Sequence, residues 1–236
     1  MRRINLPYFD ERNEAIDSII IHCLAYNVQD AIKSFHRDRV SAHYLIDENG
    51  KIYYLVDDKK RAWHAGKSCW KDKENLNGCS IGIELCSQSL GQQEYPFAQI
   101  SALIRLCRHL KRKYHIKKDR ILGHSDIAPT RKPDPGKAFP WSYLARHGLG
   151  MWYKLNNASK ITVQDQTRLL GMIGYDTGNL IAAKWAFIRH YLGTRIPYDS
   201  IENLLNTPFP DTINISDEEF LNTLKAVAFS VTQLSK

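Results

Sequence analysis

A chain of 236 residues with 43% hydrophobic content and mixed charge can bury a sizeable core, which excludes a disordered chain or a stapled mini-protein. No apolar run approaches the roughly 20 residues of a membrane helix, and the basic start Met1-Arg2-Arg3 leads into no apolar h-region. Neither a transmembrane segment nor a signal peptide is therefore expected.

The net charge of +8 lies wholly in residues 1–150, where 25 Lys and Arg face 17 Asp and Glu; residues 151–236 carry 8 of each sign. Such a bias suits an anionic partner. Much of it crowds between Arg105 and Arg120, where a solvated helix face explains it, and no nucleic-acid motif accompanies it. A nucleic-acid partner is not expected.

In chain order, Asp17–His22 reads as a buried strand, because its apolar run is continuous. Asn27 caps a helix that runs to about Asp38. Ala42–Asp47 and Lys51–Val56 flank Glu48-Asn49-Gly50 and predict a hairpin. Ser80–Cys86 is a second buried strand. Pro96 to about His115 is a helix, with Phe97, Ile100, Leu103, Ile104, Cys107 and Leu110 at helical spacing. Arg120–Leu122 is a short strand leading into Gly123-His124. After Asn156-Asn157-Ala158-Ser159, three helices follow: Val163–Ile173, Thr177–Tyr191 and Asp217–Leu234. The expected fold is α/β, a mixed central β-sheet flanked by helices over residues 1–150. A small C-terminal helical bundle follows over residues 151–236.

Three residues match a common zinc set: His22 at a strand end, His124 in Gly123-His124-Ser125-Asp126, and Asp134 in Lys132-Pro133-Asp134-Pro135-Gly136. Two imidazoles and a carboxylate leave the fourth position of Zn2+ open for water, which signals chemistry rather than a structural staple. Two prolines and a glycine would hold the Asp134 carboxylate rigidly. The plain alternative is a structural histidine and a polar turn. Glu84 sits within the apolar run Ile81-Gly82-Ile83-Glu84-Leu85, where an unpaired carboxylate is costly. Strand alternation sets it on the face opposite Ile83 and Leu85, where it can serve as general base. Lys132 can offer positive charge to an oxyanion. A structural ion pair would explain either residue. The five cysteines are odd in number and irregularly spaced, so no disulfide framework is expected, and Cys23 reads as a buried thiol.

Read together, Ile20-Ile21-His22, Ser41-Ala42-His43-Tyr44-Leu45-Ile46, Ala62-Trp63-His64-Ala65-Gly66, Asn77-Gly78-Cys79-Ser80-Ile81-Gly82-Ile83-Glu84 and Gly123-His124-Ser125-Asp126 through Gly136 resemble the zinc-dependent N-acetylmuramoyl-L-alanine amidases. This is the type 2 amidase family, related to peptidoglycan recognition proteins. Phe139-Pro140-Trp141 and the helical tail are most similar to its AmiD-like branch. The resemblance covers about residues 15–145. It implies one Zn2+ per chain on His22, His124 and Asp134, with Glu84 as catalytic glutamate and Lys132 stabilising the transition state. It sets His43 and His64 near the cleft, as substrate-lining or structural residues. The implied substrate is peptidoglycan or a muropeptide fragment, including 1,6-anhydro forms, cut between N-acetylmuramic acid and L-alanine. The tail resembles, more weakly, a peptidoglycan-binding bundle. The implied location is the cell envelope or periplasm, with the cytoplasm as the alternative. The rival readings are a peptidoglycan-binding receptor without activity and a zinc endopeptidase acting within the stem peptide. The segment Lys67–Asn77 departs from the family pattern and leaves the exact muropeptide open.

Overall fold

The computed structural model describes residues 2–206 and 215–234. Its strands are β1 (Arg2–Arg3), β2 (Phe9–Glu11), β3 (Ser18–Leu24), β4 (Tyr44–Ile46), β5 (Ile52–Tyr54), β6 (Lys60–Ala62), β7 (Cys69–Trp70), β8 (Lys73–Glu74), β9 (Ser80–Cys86) and β10 (Ile121–Gly123). Its α-helices are α1 (Val28–Asp38), α2 (Phe97–Tyr114), α3 (His124–Ile127), α4 (Trp141–Arg146), α5 (Gln166–Ile173), α6 (Leu180–Tyr191), α7 (Ile201–Asn206) and α8 (Asp217–Thr232).

Six strands form one mixed sheet in the order β1-β5-β4-β9-β3-β10. β3 runs parallel to both β9 and β10, while β4 runs parallel to β9 and antiparallel to β5. β3 and β9 are buried almost throughout, as strands covered on both faces must be, which is why they read as continuous apolar runs. Ile19, Ile21, Cys23, Ile81, Ile83 and Leu85 line one face and pack under Ile100, Leu103, Cys107 and Leu110 of α2.

The other face carries two separate apolar clusters. Toward β5, Ala31 and Phe35 of α1 cover Leu45, Tyr53 and Leu55. Toward β10, Leu169 and Leu170 of α5, Phe187 of α6 and Leu224 of α8 join Ile20, Leu122 and Ile127. Between these clusters the sheet presents His22 and Glu84, which stand directly opposite one another on β3 and β9.

The expected elements are present with small boundary shifts. The Asn27 side chain caps α1 by accepting from the Asp30 amide at 3.0 Å. Asp47 accepts from the amides of Asn49 and Lys51, and Gly50 at φ +78° closes the β4–β5 turn. Two antiparallel ribbons were not expected: β2 with β6, and β7 with β8 inside the lysine-rich segment 67–77. All five cysteines are free. Among the described residues, no helix is long and apolar enough to cross a membrane.

Candidate metal centre and cleft

His22 reaches the centre from β3, His124 from the first turn after β10, and Asp134 from the loop that follows. The parallel pairing of β3 with β10 brings the first two together across 102 positions of sequence. The Ser125 amide donates to the Asp134 carbonyl at 2.8 Å and ties the third ligand's loop to the second's. His22 Nδ1 lies 2.8 Å from His124 Nδ1, and Asp134 Oδ2 lies 3.4 Å and 3.2 Å from these two nitrogens. Bonds of roughly 2.0–2.1 Å to a tetrahedral ion place neighbouring ligand atoms about 3.3 Å apart, so this triangle fits one zinc ion. The donor set also fits: two imidazoles and one carboxylate, each no more than 6% exposed, leave one position open.

Burial, with His124 alongside, lowers the His22 pKa to about 4, so its imidazole is neutral near pH 7 as a ligand must be. Burial alone would raise Asp134, but the imidazoles beside it, His124 and then His22, hold it well below the usual carboxylate range. The loop owes its position to a close approach. Gly136, at φ +86°, has room for no Cβ, since one would stand 2.6 Å from the carbonyl oxygens of Leu90 and Gly91.

Glu84 is 7% exposed, and its Oε2 has no hydrogen-bond partner among the described residues. Burial, then the nearby Asp134, pushes its pKa well above the ordinary carboxylate value, against the pull of Lys132. Lys132, half-buried, lines the same cleft. That cleft encloses about 420 Å³, and its rim includes Tyr26, Trp63 and Arg131. A larger groove of about 680 Å³, around Arg2, Asn27 and Gln88, contains none of these groups.

Of the two readings open for His43, lining the cleft or structural, its surroundings fit the structural one. His43 is fully buried away from it, accepting at Nδ1 from the Gly82 amide at 3.0 Å and donating from Nε2 to the Lys60 carbonyl at 3.1 Å. It clamps β9 to β6. His64 does border the cleft, but both ring nitrogens are engaged, Nδ1 with His22 at 3.0 Å and Nε2 with Ser80 Oγ at 3.4 Å. No polar ring atom of His64 is left for a substrate. Sequence reasoning missed Asn77, whose Oδ1 accepts from the amides of both His64 and Ala65. A lone asparagine in a polar loop carries no sign of such a task.

A family model described as N-acetylmuramoyl-L-alanine amidase matches residues 12–137. The chain is 38% identical over 185 residues to the N-acetylmuramoyl-L-alanine amidase AmiD of Escherichia coli K12, covering 68% of this chain and 67% of that one. It is 36% identical over 170 residues to the 1,6-anhydro-N-acetylmuramyl-L-alanine amidase AmpD of Haemophilus influenzae, covering 61% of this chain and 90% of that one. Its fold superposes with a TM-score of 0.73 and 29% identity on the complex of Escherichia coli AmiD with anhydro-N-acetylmuramic acid-L-Ala-D-gamma-Glu-L-Lys, covering 92% of this chain and 91% of that one.

Proposed function

The chain belongs to the N-acetylmuramoyl-L-alanine amidase family, and from that premise we propose that it hydrolyses the amide between N-acetylmuramic acid, or its 1,6-anhydro form, and L-alanine of the stem peptide. The observation that carries this is the His22, His124 and Asp134 triangle opening into a cleft beside an unpartnered Glu84. A receptor without activity has no use for that combination.

When bound, zinc supplies Lewis acidity, polarising a carbonyl and lowering the pKa of a water to roughly 7. Glu84 Oε2 takes the proton of the attacking water and returns it to the departing L-alanine nitrogen. Its free oxygen beside the ligand triangle supports that role, since a positioned carboxylate can accept a proton and give it back. Lys132 Nζ faces negative charge building on the scissile oxygen. Neither role requires a covalent intermediate. The basic residues 1–150 suit a substrate that carries stem-peptide carboxylates.

The test is digestion of a purified anhydro-muropeptide, and separately of intact peptidoglycan, followed by mass spectrometry. Intact free stem peptide and peptide-free muramic acid are expected. Shortened stems left on the sugar would identify an endopeptidase, and binding without any cleavage by zinc-loaded protein would identify a receptor.

A further inference from the structure

Two imidazoles can hold a metal through Nδ1 only if both carry their proton on Nε2. Which nitrogen holds the proton is set by what the other one touches. For His124 the answer is direct. Its Nε2 lies 3.2 Å from the Ala65 carbonyl oxygen, which can only accept, so Nε2 carries the proton and Nδ1 is bare.

For His22 the answer runs through three residues. The Ser80 hydroxyl donates to the Leu76 carbonyl, so its lone pairs face His64 Nε2 at 3.4 Å. His64 therefore carries its proton on Nε2 and has a bare Nδ1. That Nδ1 lies 3.0 Å from His22 Nε2, which must be the donor. His22 Nδ1 is left bare, 2.8 Å from the equally bare Nδ1 of His124. Two lone pairs and a carboxylate then converge with no proton between them, an arrangement that needs a cation.

His64 and Ala65 are adjacent, and the chain fixes both at once. Asn77 Oδ1 accepts from the His64 amide at 3.0 Å and the Ala65 amide at 2.7 Å. Arg131 Nη2 donates to the same Ala65 carbonyl at 3.1 Å. Gly82 of β9 makes room for the ring: a Cβ there would stand 2.4 Å from His64 Cγ and 2.7 Å from its Nδ1. Gly82 shares a sheet face with Glu84, so an open spot on the strand is what lets an imidazole reach His22 from behind.

We propose that His64 and the Ala65 carbonyl, pinned by Asn77 and seated over Gly82, are the positioning device that sets both histidine ligands in the Nε2–H form with Nδ1 toward the metal. His64 is a positioning residue acting through His22, and it makes no polar contact with substrate. This rests on the reading of His22, His124 and Asp134 as the zinc site.

The test uses the full-length chain. Nitrogen-15 NMR of the histidine-labelled, metal-free protein near pH 7 should show His22 and His124 as Nε2–H tautomers. Zinc affinity, measured by competition with a chromophoric chelator, should fall about 10–100-fold in His64→Ala. His64→Asn keeps an acceptor near the Nδ1 position and should recover most of that loss. Gly82→Ala should weaken zinc binding in the native background, by displacing the ring, but add nothing further in His64→Ala. An Nδ1–H tautomer at either ligand, native zinc affinity in His64→Ala, or no recovery in His64→Asn would each overturn the proposal. A native chain that binds no zinc would instead overturn the reading of the site itself.

Discussion

Three side chains around the cleft divide its work by what each atom can reach. Asp134 Oδ2 faces both ligand nitrogens, so Asp134→Ala should cut zinc affinity sharply, while Glu84→Gln and Lys132→Ala should keep one zinc per chain. Glu84→Gln should lower kcat by about 10²–10⁴-fold, and Lys132→Ala by up to about 10³-fold. Metal analysis beside kcat checks this; zinc lost equally from all three variants would reject the division. The buried histidines also tie stability to pH. His22 and His43 both have pKa values of about 4, from burial first, and His64 is held well below its ordinary value. Unfolded, each returns to about 6.5, so below that pH the unfolded chain binds more protons. In chelator, the contribution is therefore complete above about pH 6.5 and is lost as pH falls toward 4. Each group steepens the fall by up to roughly 1.4 kcal/mol per pH unit. Urea midpoints between pH 7 and 5 should show the decline, and His43→Gln should flatten it.

Elements with a strong period were legible in the sequence, and pairings between them were not. β3 and β9 announce themselves as apolar runs, and α2 by its helical stripe. Nothing in a single sequence states that His22 sits opposite Glu84, because strand order is decided by packing on both faces. The ligand residues His22, His124 and Asp134 were legible because metal chemistry demands those types, and Glu84 stood out as a carboxylate in an apolar run. His43 stayed open between a lining and a structural role because its task, holding a strand amide and a carbonyl, leaves no mark distinct from a cleft histidine. The two-residue strands β7 and β8 are too short to show any alternation. One element-level dependence follows from the loops. Gly91, at φ +69°, lies against the loop carrying Asp134, and a Cβ there would stand 1.9 Å from the Pro135 carbonyl oxygen. Gly91→Ala should destabilise the protein by about 1–3 kcal/mol and weaken zinc binding, although Gly91 makes no contact with a ligand atom. Chemical denaturation and chelator competition on one sample check both; a destabilised variant with native zinc affinity would show that the loop holds Asp134 independently.

At the scale of the whole molecule, the C-terminal helices reach the metal loop's own foundations. Asp126, two residues after a ligand, is fully buried. Its carboxylate accepts from the Gly123 amide at 2.7 Å, from the Tyr175 hydroxyl at 2.8 Å and from His190 Nδ1 at 2.8 Å. Tyr175 and His190 come from the tail. His190 also stacks on Trp141 at 3.9 Å, and Tyr175 meets Trp70 edge-on at 4.9 Å. Leu122, Ile127 and Ala128 share one apolar cluster with α5, α6 and α8. Removing residues 151–236 would expose that surface and strip two partners from a buried carboxylate, at about 1–3 kcal/mol for each unmade bond. Truncation after residue 150 should therefore lower the melting temperature strongly and weaken zinc binding, even toward a small muropeptide that needs only the cleft. Tyr175→Phe and His190→Gln in the full chain should do the same in smaller steps, with the helices otherwise in place. Thermal melts, chelator competition and turnover of a soluble muropeptide separate the outcomes. A truncated chain that folds, binds zinc and turns over the fragment normally, yet acts poorly on intact peptidoglycan, would mean that the tail serves the polymer through a second contact. Loss of folding and metal together would mean that the tail is part of the catalytic body, and the buried Asp126 clasp supports that outcome.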